Sequence, residues 1–213
     1  MSYFFPEGGK FQFSSTFATN KVITAATNAV AAVFTSVAHG YTTGDEVLLR
    51  TGWEDATDLI VRIVVLTADT FSVPALNTTD AVFYAAGAGT GTASKVTSFI
   101  DIPQVLTLSP DGGGIRYGEI KPLYSRNGIK QAIGFDASGL TLGLGVDTAL
   151  PGFIALRDLS RTLSRCAFRQ VFLGGLTVYG YGNMSMSEQV KQEAGSPITV
   201  EVGISFTGRQ IMY

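Results

Sequence analysis

Two side chains could start nucleophilic or metal chemistry in this sequence, the single histidine His39 and the single cysteine Cys166. A nucleophile needs a base within hydrogen-bond reach and a third group to orient that base. His39 lies in a glycine-flanked turn with only Asp45 as a nearby acid, so it reads as a turn or packing histidine. Cys166 has no histidine nearby in sequence and sits where a helix gives way to a strand, so it reads as a small buried hydrophobe. Glu54, Asp55 and Asp58 lack the alternating acid spacing of a calcium loop and read as a solvated acidic surface. Gly87, Gly89 and Gly91 resemble a phosphate cradle only superficially, because no Lys-Ser/Thr follows them and no strand-to-helix context frames them. The expectation is no enzyme, no metal and no cofactor.

The remaining notable groups suit contact better than catalysis. Arg157, Arg161 and Arg165 recur at i, i+4 and i+8, a basic row that disfavours an isolated helix slightly and invites acidic partners on a neighbouring molecule. A solvated helix face, helped by the helix dipole, is the plainer alternative. Asp111-Gly112-Gly113-Gly114-Ile115-Arg116 is a loop whose backbone only glycines adopt cheaply.

The elements that must position these residues are mostly strands. Among 213 residues, 46% are hydrophobic and only 15% charged, against roughly 25% charged in ordinary soluble domains. A chain so poor in charge is expected to bury surface against other copies. No run of 18 apolar residues is present, so no transmembrane helix is expected. The first residues show no secretory signal, and a lone cysteine excludes an internal disulfide framework. Residues 10–14, 104–108 and 140–144 alternate. So does 198–206, with Ile198, Val200, Val202, Ile204 and Phe206 on one face and Thr199, Glu201, Gly203 and Ser205 on the other. On the same logic Ser185, Ser187 and Gln189 oppose Met184 and Met186. One helix is expected from Pro151 to about Arg165, with Phe153, Leu156, Leu159 and Leu163 as its apolar face and Asp147 or Thr148 as cap.

Residues 22–95 read as an inserted small β unit between framework segments 1–21 and 96–213, with 85–92 as a flexible return. Residues 22–94 hold seven acids against Arg50 and Arg62, a balance of −5; the whole chain is −2, which leaves +3 on the rest. That asymmetry predicts two units with different surroundings.

The order of framework segments carries a resemblance. Phe99-Ile100-Asp101-Ile102-Pro103 precedes a Gly-rich loop, Leu140-Thr141-Leu142 precedes the Pro151 helix, and Phe168-Arg169-Gln170-Val171-Phe172-Leu173-Gly174-Gly175-Leu176-Thr177-Val178 forms a hairpin before the last strand. This pattern resembles the tail tube (major tail) proteins of siphophages, which are similar in fold to contractile-phage and type VI secretion tubes. Ala38-His39-Gly40-Tyr41-Thr42-Thr43-Gly44-Asp45 also resembles small β modules of phage virion proteins. The resemblance implies a mainly β subunit, a tail-tube β-sandwich or barrel with one packed helix, that forms hexameric rings stacked helically into a tube.

It further implies a lumen holding genomic DNA and tape-measure protein. Tail terminator and distal tail proteins would cap the ends, assembly would occur in the host cytoplasm, and the chain would not insert into membrane. Thr199, Glu201, Ser205, Thr207, Ser185, Ser187 and Gln189 are then candidates to face the lumen. Small polar and acidic groups there would offer DNA no basic clamps. Arg157, Arg161, Arg165, Asp111, Gly112, Gly113, Gly114 and Arg116 are candidates for contacts between subunits or rings. The inserted unit is expected to project outward. The alternative from another class is a soluble carbohydrate-binding β-sandwich, with Trp53, Tyr179 and Tyr181 stacking on sugars.

Overall fold

The alternation at the end of the chain becomes strand Thr199–Phe206, in which Val200, Val202 and Ile204 are buried while Glu201 and Ser205 are exposed. A computed structural model describes residues 8–124 and 126–213. It is mainly β, with α-helix Pro151–Thr162 the one α-helix among the described residues. The central eight-stranded sheet follows the order Ile100–Asp101, Lys10–Ser14, Arg165–Val171, Thr177–Lys191, Thr199–Phe206, Ser138–Gly145, Val105–Gly112, and Ile211–Met212 also pairs with Thr177–Lys191.

Chain reach shows that this sheet is curled. Its two outermost strands are joined through Ile102, Pro103 and Gln104 alone. Four Cα–Cα steps span at most about 14 Å, whereas the edges of a flat seven-strand path would stand about 29 Å apart at a spacing of ~4.8 Å. The sheet therefore wraps toward a barrel. Phe11 and Phe13 from one end of the path and Leu142 and Leu144 from the other share one core with Phe153, Leu156 and Leu159 of the helix.

The helix begins at Pro151, whose fixed φ suits the first turn. Its start differs from the expected cap. Leu150 is the cap residue, and the Asp147 carboxylate instead accepts from the Ala149 N–H at 3.0 Å. Its end also differs. Leu163 adopts φ 52°, a left-handed conformation, which stops the helix at Thr162 and leaves Leu163 71% exposed instead of completing the apolar face. Arg165 consequently opens the next strand and is not on the helix.

Residues 21–95 build two four-stranded sheets. Lys21–Ile23, Gly91–Lys95, Glu46–Thr51 and Leu59–Arg62 form one; Ala25–Ala26, Ala32–Thr35, Thr70–Val73 and Val64–Thr67 form the other. Their own core includes Phe34, Trp53, Phe71, Leu49 and Val61. The stretch read as a flexible return is packed here. Gly91–Lys95 lies between two strands, and Trp53 Nε1 donates to the Ala85 carbonyl at 2.8 Å. Gly89 and Gly91 let the chain lie against Trp53 and the neighbouring strand, which composition alone did not reveal.

The two-sheet segment and the central sheet meet across a third core, where Leu48 and Ile60 pack on Ala167, Tyr179 and Tyr181. Charges line the same boundary. Arg169 meets Glu46 at 2.6 Å, Arg165 meets Asp58 at 3.2 Å, and Arg209 approaches Asp55 at 3.8 Å. Asp58 also takes Arg50 at 3.0 Å, so it belongs to this junction and not to a solvated acidic surface. The opposite charge balances of the two segments are thus partly spent on each other.

Candidate self-association surfaces

Register across the central sheet sorts its two faces. Leu108, Leu142, Val202 and Met186 stand opposite one another along one row, and all four belong to the core. The next row on the reverse face is Ser109, Thr141, Gly203 and Ser185, and beside it run Thr107, Gly143 and Glu201. Asn183, Ser205 and Gly139 continue the same face. The result is a strip of mostly small polar side chains that also carries Glu201, Asp111 opposite Gly139 and Lys191 opposite Thr199. Ser185, Glu201 and Ser205 are exposed on it, and Thr199 is half-buried at its end.

Thr207 lies just beyond the strand, exposed, with its N–H donating to the Tyr181 carbonyl at 2.9 Å. Ser187 and Gln189 fall where the register slips between Met186 and Val190; the Gln189 N–H donates to Ser187 Oγ at 3.1 Å, so these two fold onto each other in a bulge.

The glycine-rich loop is the root of a second hairpin. Gly112 and Gly113 have φ of 68° and 74°, a region that L side chains enter at a cost. This lets Val105–Gly112 and Ser138–Gly145 continue, through Gly113 N–H to Ala137 O and Asp136 N–H to Gly114 O, into the pair Ile115–Ile120 and Ile129–Phe135. Six residues at ~3.3 Å each carry this arm about 20 Å past the sandwich. Asp111, Gly112, Gly113, Gly114 and Arg116 all sit exposed at its base.

Each face of the arm exposes apolar side chains among charged ones, Glu119 and Lys130 on one and Arg116 on the other. Ile115, Tyr117 and Phe135 share one side, Ile120 and Ile129 the other, and all five are about half exposed or more, with Phe135 at 76%. Leu123 and Tyr124 beyond the strands are fully or almost fully exposed. An isolated two-stranded ribbon is marginal in water, and a contiguous apolar surface of this kind marks an association site. The sequence held a signal for it, the Asn127-Gly128 turn dipeptide flanked by isoleucine-rich segments.

The basic row is split. Arg157 and Arg161 remain on the helix, each 3.8 Å from a carboxylate, Asp158 and Glu188 respectively, while Arg165 is drawn to Asp58.

His39 is buried; the Tyr41 N–H donates to its Nδ1 at 3.0 Å, so Nε2 carries the proton and donates to the Thr67 carbonyl at 3.2 Å. Both ring nitrogens are occupied in packing. Cys166 is fully buried, and burial pushes its thiol well above the usual range, away from the thiolate a nucleophile requires. No cluster of three metal-ligating side chains occurs among the described residues. Among the described residues, no helix is long and apolar enough to cross a membrane.

The aromatic residues of the sugar-binding alternative are structural. Trp53, Tyr179 and Tyr181 are at most 3% exposed. Tyr179 accepts from Arg62 at 2.7 Å and donates to Glu46 at 2.7 Å, and Tyr181 accepts from Arg50 at 2.6 Å. No ring face is left for a sugar, so that reading is withdrawn.

Residues 51–213 match the family described as phage tail tube protein, TTP. The match begins within the segment 21–95 that builds the two four-stranded sheets. Among solved structures, the SPP1 tail tube, determined by solid-state NMR and electron cryomicroscopy, is similar over 55% of this chain and 69% of that one, at 13% identity and a TM-score of 0.43. No curated protein matches the chain.

Proposed function

This chain belongs to the phage tail tube protein family, and we propose that its copies close six at a time into rings that stack helically around a DNA-conducting channel. Membership makes it a structural, non-enzymatic virion component that self-assembles into a tube. The finer reading is that Val105–Gly112, the outermost long strand of the sheet, pairs with a neighbouring copy, since unpaired edges of this length invite strand addition. Heterologous edge contacts close into a ring when the rotation permits.

In this arrangement the polar strip through Ser109, Thr141, Gly203, Ser185 and Glu201 lines the bore. Its small hydroxyls, with Glu201 and Asp111 against Lys191 at one end, give a sliding duplex few cationic clamps. Genomic DNA and the tape-measure protein occupy the bore, terminator and distal tail proteins bound it, and assembly takes place in the host cytoplasm. The segment 22–95 is treated as an inserted unit pointing away from the axis. It covers Tyr179 and Tyr181, which precede Asn183 and Ser185 on the same face of strand Thr177–Lys191.

The observation that carries this reading is the arm Ile115–Ile120 with Ile129–Phe135, which exposes large apolar side chains on both faces and is uncovered within its own subunit. Negative-stain electron microscopy of concentrated purified protein tests it. Rings with a central hole, or tubes built from them, are expected; a dispersed folded monomer overturns the proposal.

A further inference from the structure

Resting on the tube reading, we infer that loop 80–83 of one copy seats in the arginine-lined cleft between helix and bulge of the next, with Asp80 and Phe83 meeting Arg157 and Arg161. The cleft has a volume of about 290 Å³ and lies between helix Pro151–Thr162 and the bulge of strand Thr177–Lys191. Phe153, Met186 and Val200 give it an apolar floor, and Arg157, Arg161 and Glu188 stand around it. Its two sides are tied together, since the Met186 N–H donates to Ser160 Oγ at 2.7 Å.

The cleft is built for an anion with an apolar body. Among the residues that line it, two guanidinium groups face the Glu188 carboxylate alone. Arg157 Nε is buried and makes no hydrogen bond among the described residues; Asp158 stands 3.8 Å from it, beyond hydrogen-bond reach. A buried donor left unmade is costly, so an incoming acceptor gains there. Arg161 is also 3.8 Å from its acid, Glu188, and both side chains are well exposed, which leaves that pair weak. A guanidinium grips a carboxylate through parallel hydrogen bonds and stacks on an aromatic ring. An occupant carrying an acid beside a phenyl ring uses both properties.

Loop 80–83 carries that combination. Asp80 is exposed, and Val82 and Phe83 are 86% and 64% exposed. The loop is held at both ends. Thr78 and Tyr84 are buried, and the Asn28 amide donates to the carbonyls of both, at 2.9 and 2.7 Å. Tyr84 also lies edge-on to Trp53, with ring centres 5.3 Å apart. Asp80 Oδ1 accepts from the Val82 N–H at 2.9 Å, which fixes the turn. The result is a preformed knob, and a knob fixed in advance loses little freedom on docking. Charge agrees with this pairing, because the surrounding residues 22–94 carry −5 and the rest of the chain +3. Knob and cleft are different surfaces of one chain, so the contact is heterologous and repeats from copy to copy.

Sedimentation velocity of the full chain tests the contact. Phe83→Ser, Asp80→Arg and Arg161→Asp should each raise the concentration needed for rings and tubes by about tenfold or more, with melting unchanged. Combining Asp80→Arg with Arg161→Asp should recover most of the loss. Oxidised assemblies of an Ala81→Cys, Val190→Cys variant should show chains joined by disulfide, without competition from the buried Cys166. Single variants that assemble at the wild-type concentration, with no disulfide between chains, would overturn the docking. Assembly lost through Arg161→Asp but untouched by Asp80→Arg and Phe83→Ser would also overturn it, by giving the cleft a different occupant. A wild type without rings or tubes would instead remove the reading on which the docking stands.

Discussion

Arg169 of the central sheet and Glu46 of strand Glu46–Thr51 meet at 2.6 Å, with both side chains more than three-quarters buried. The Tyr179 hydroxyl donates to the same carboxylate oxygen, and Arg169 also donates to Gln12 and lies 4.0 Å from the centre of the Phe99 ring. One carboxylate thus ties two sheets and two ring faces together. Arg62 is shared in the same manner between Tyr179 and Tyr213. Segment 21–95 is fixed to the central sheet at several points.

Glu46→Ala should therefore leave Arg169 without its partner and destabilise the protein by about 2 kcal/mol, less than the 3–5 of a fully buried pair because water still reaches the site. Denaturant unfolding checks the magnitude. A single transition shared by probes in both segments is expected, since their boundary is a packed core.

Asp45 provides an acid-side prediction. Burial acts to raise its pKa, but the Lys95 ammonium, at 2.7 Å, and the N–H and hydroxyl of Thr42 outweigh it and hold the folded value below 3.8. A depressed folded pKa contributes stability that is complete above the unfolded value and drains away as pH falls through the folded one. Acid melts of Asp45→Asn should lose that part of the dependence below about pH 4.

On the alkaline side, burial raises Tyr179 to about 12, helped by the Glu46 carboxylate, and burial likewise raises Tyr41 to about 12. These folded values lie above the unfolded value of 10, so the stabilisation is intact below pH 10 and is lost as pH climbs through 12. Tyrosinate absorbance should show two groups ionising only with unfolding. Tyr179→Phe should remove one of them.

Leu156 is fully buried in the core between helix and sheet. Leu156→Ala should cost about 3 kcal/mol through lost burial and the cavity left behind. Thermal unfolding measures it, and ring formation should fail at temperatures where the wild type still assembles.

Gly112→Ala should separate assembly from folding. Its φ is 68°, and an added Cβ would collide with the Ala137 carbonyl. The strain falls at the root of the arm, outside the three cores, so near-native melting with misdirected arms and loss of tubes is expected. Melting curves and electron micrographs on the same sample report the two effects separately.

The sequence disclosed what a single local pattern encodes. Residues 199–206 read correctly because one face meets a core and the other water, which forces polar and apolar side chains to alternate. Pro151 marked the helix start for the equally local reason that its φ is preset. Leu163 did not mark the end, because a leucine in the left-handed region carries none of the signal that glycine gives there.

The arm escaped notice for the opposite reason to the final strand. With apolar and charged side chains mixed on both faces it has no alternation to read, although Asn127-Gly128 pointed toward a turn. The ties between segments were illegible because Arg169 and Glu46 stand 123 residues apart, and no spacing rule reaches that far. Asp58 looked solvated for the same reason: its partner Arg165 is distant in sequence.

Sedimentation velocity of the concentrated wild type beside a variant with residues 115–135 replaced by a short glycine turn bears on the central claim most directly. The wild type should sediment as rings and tubes, and the shortened chain should remain folded without forming tubes. A wild type that stays a single folded subunit at every concentration, or a shortened chain that polymerises equally well, would contradict the claim that the exposed arm is buried by other copies of this protein.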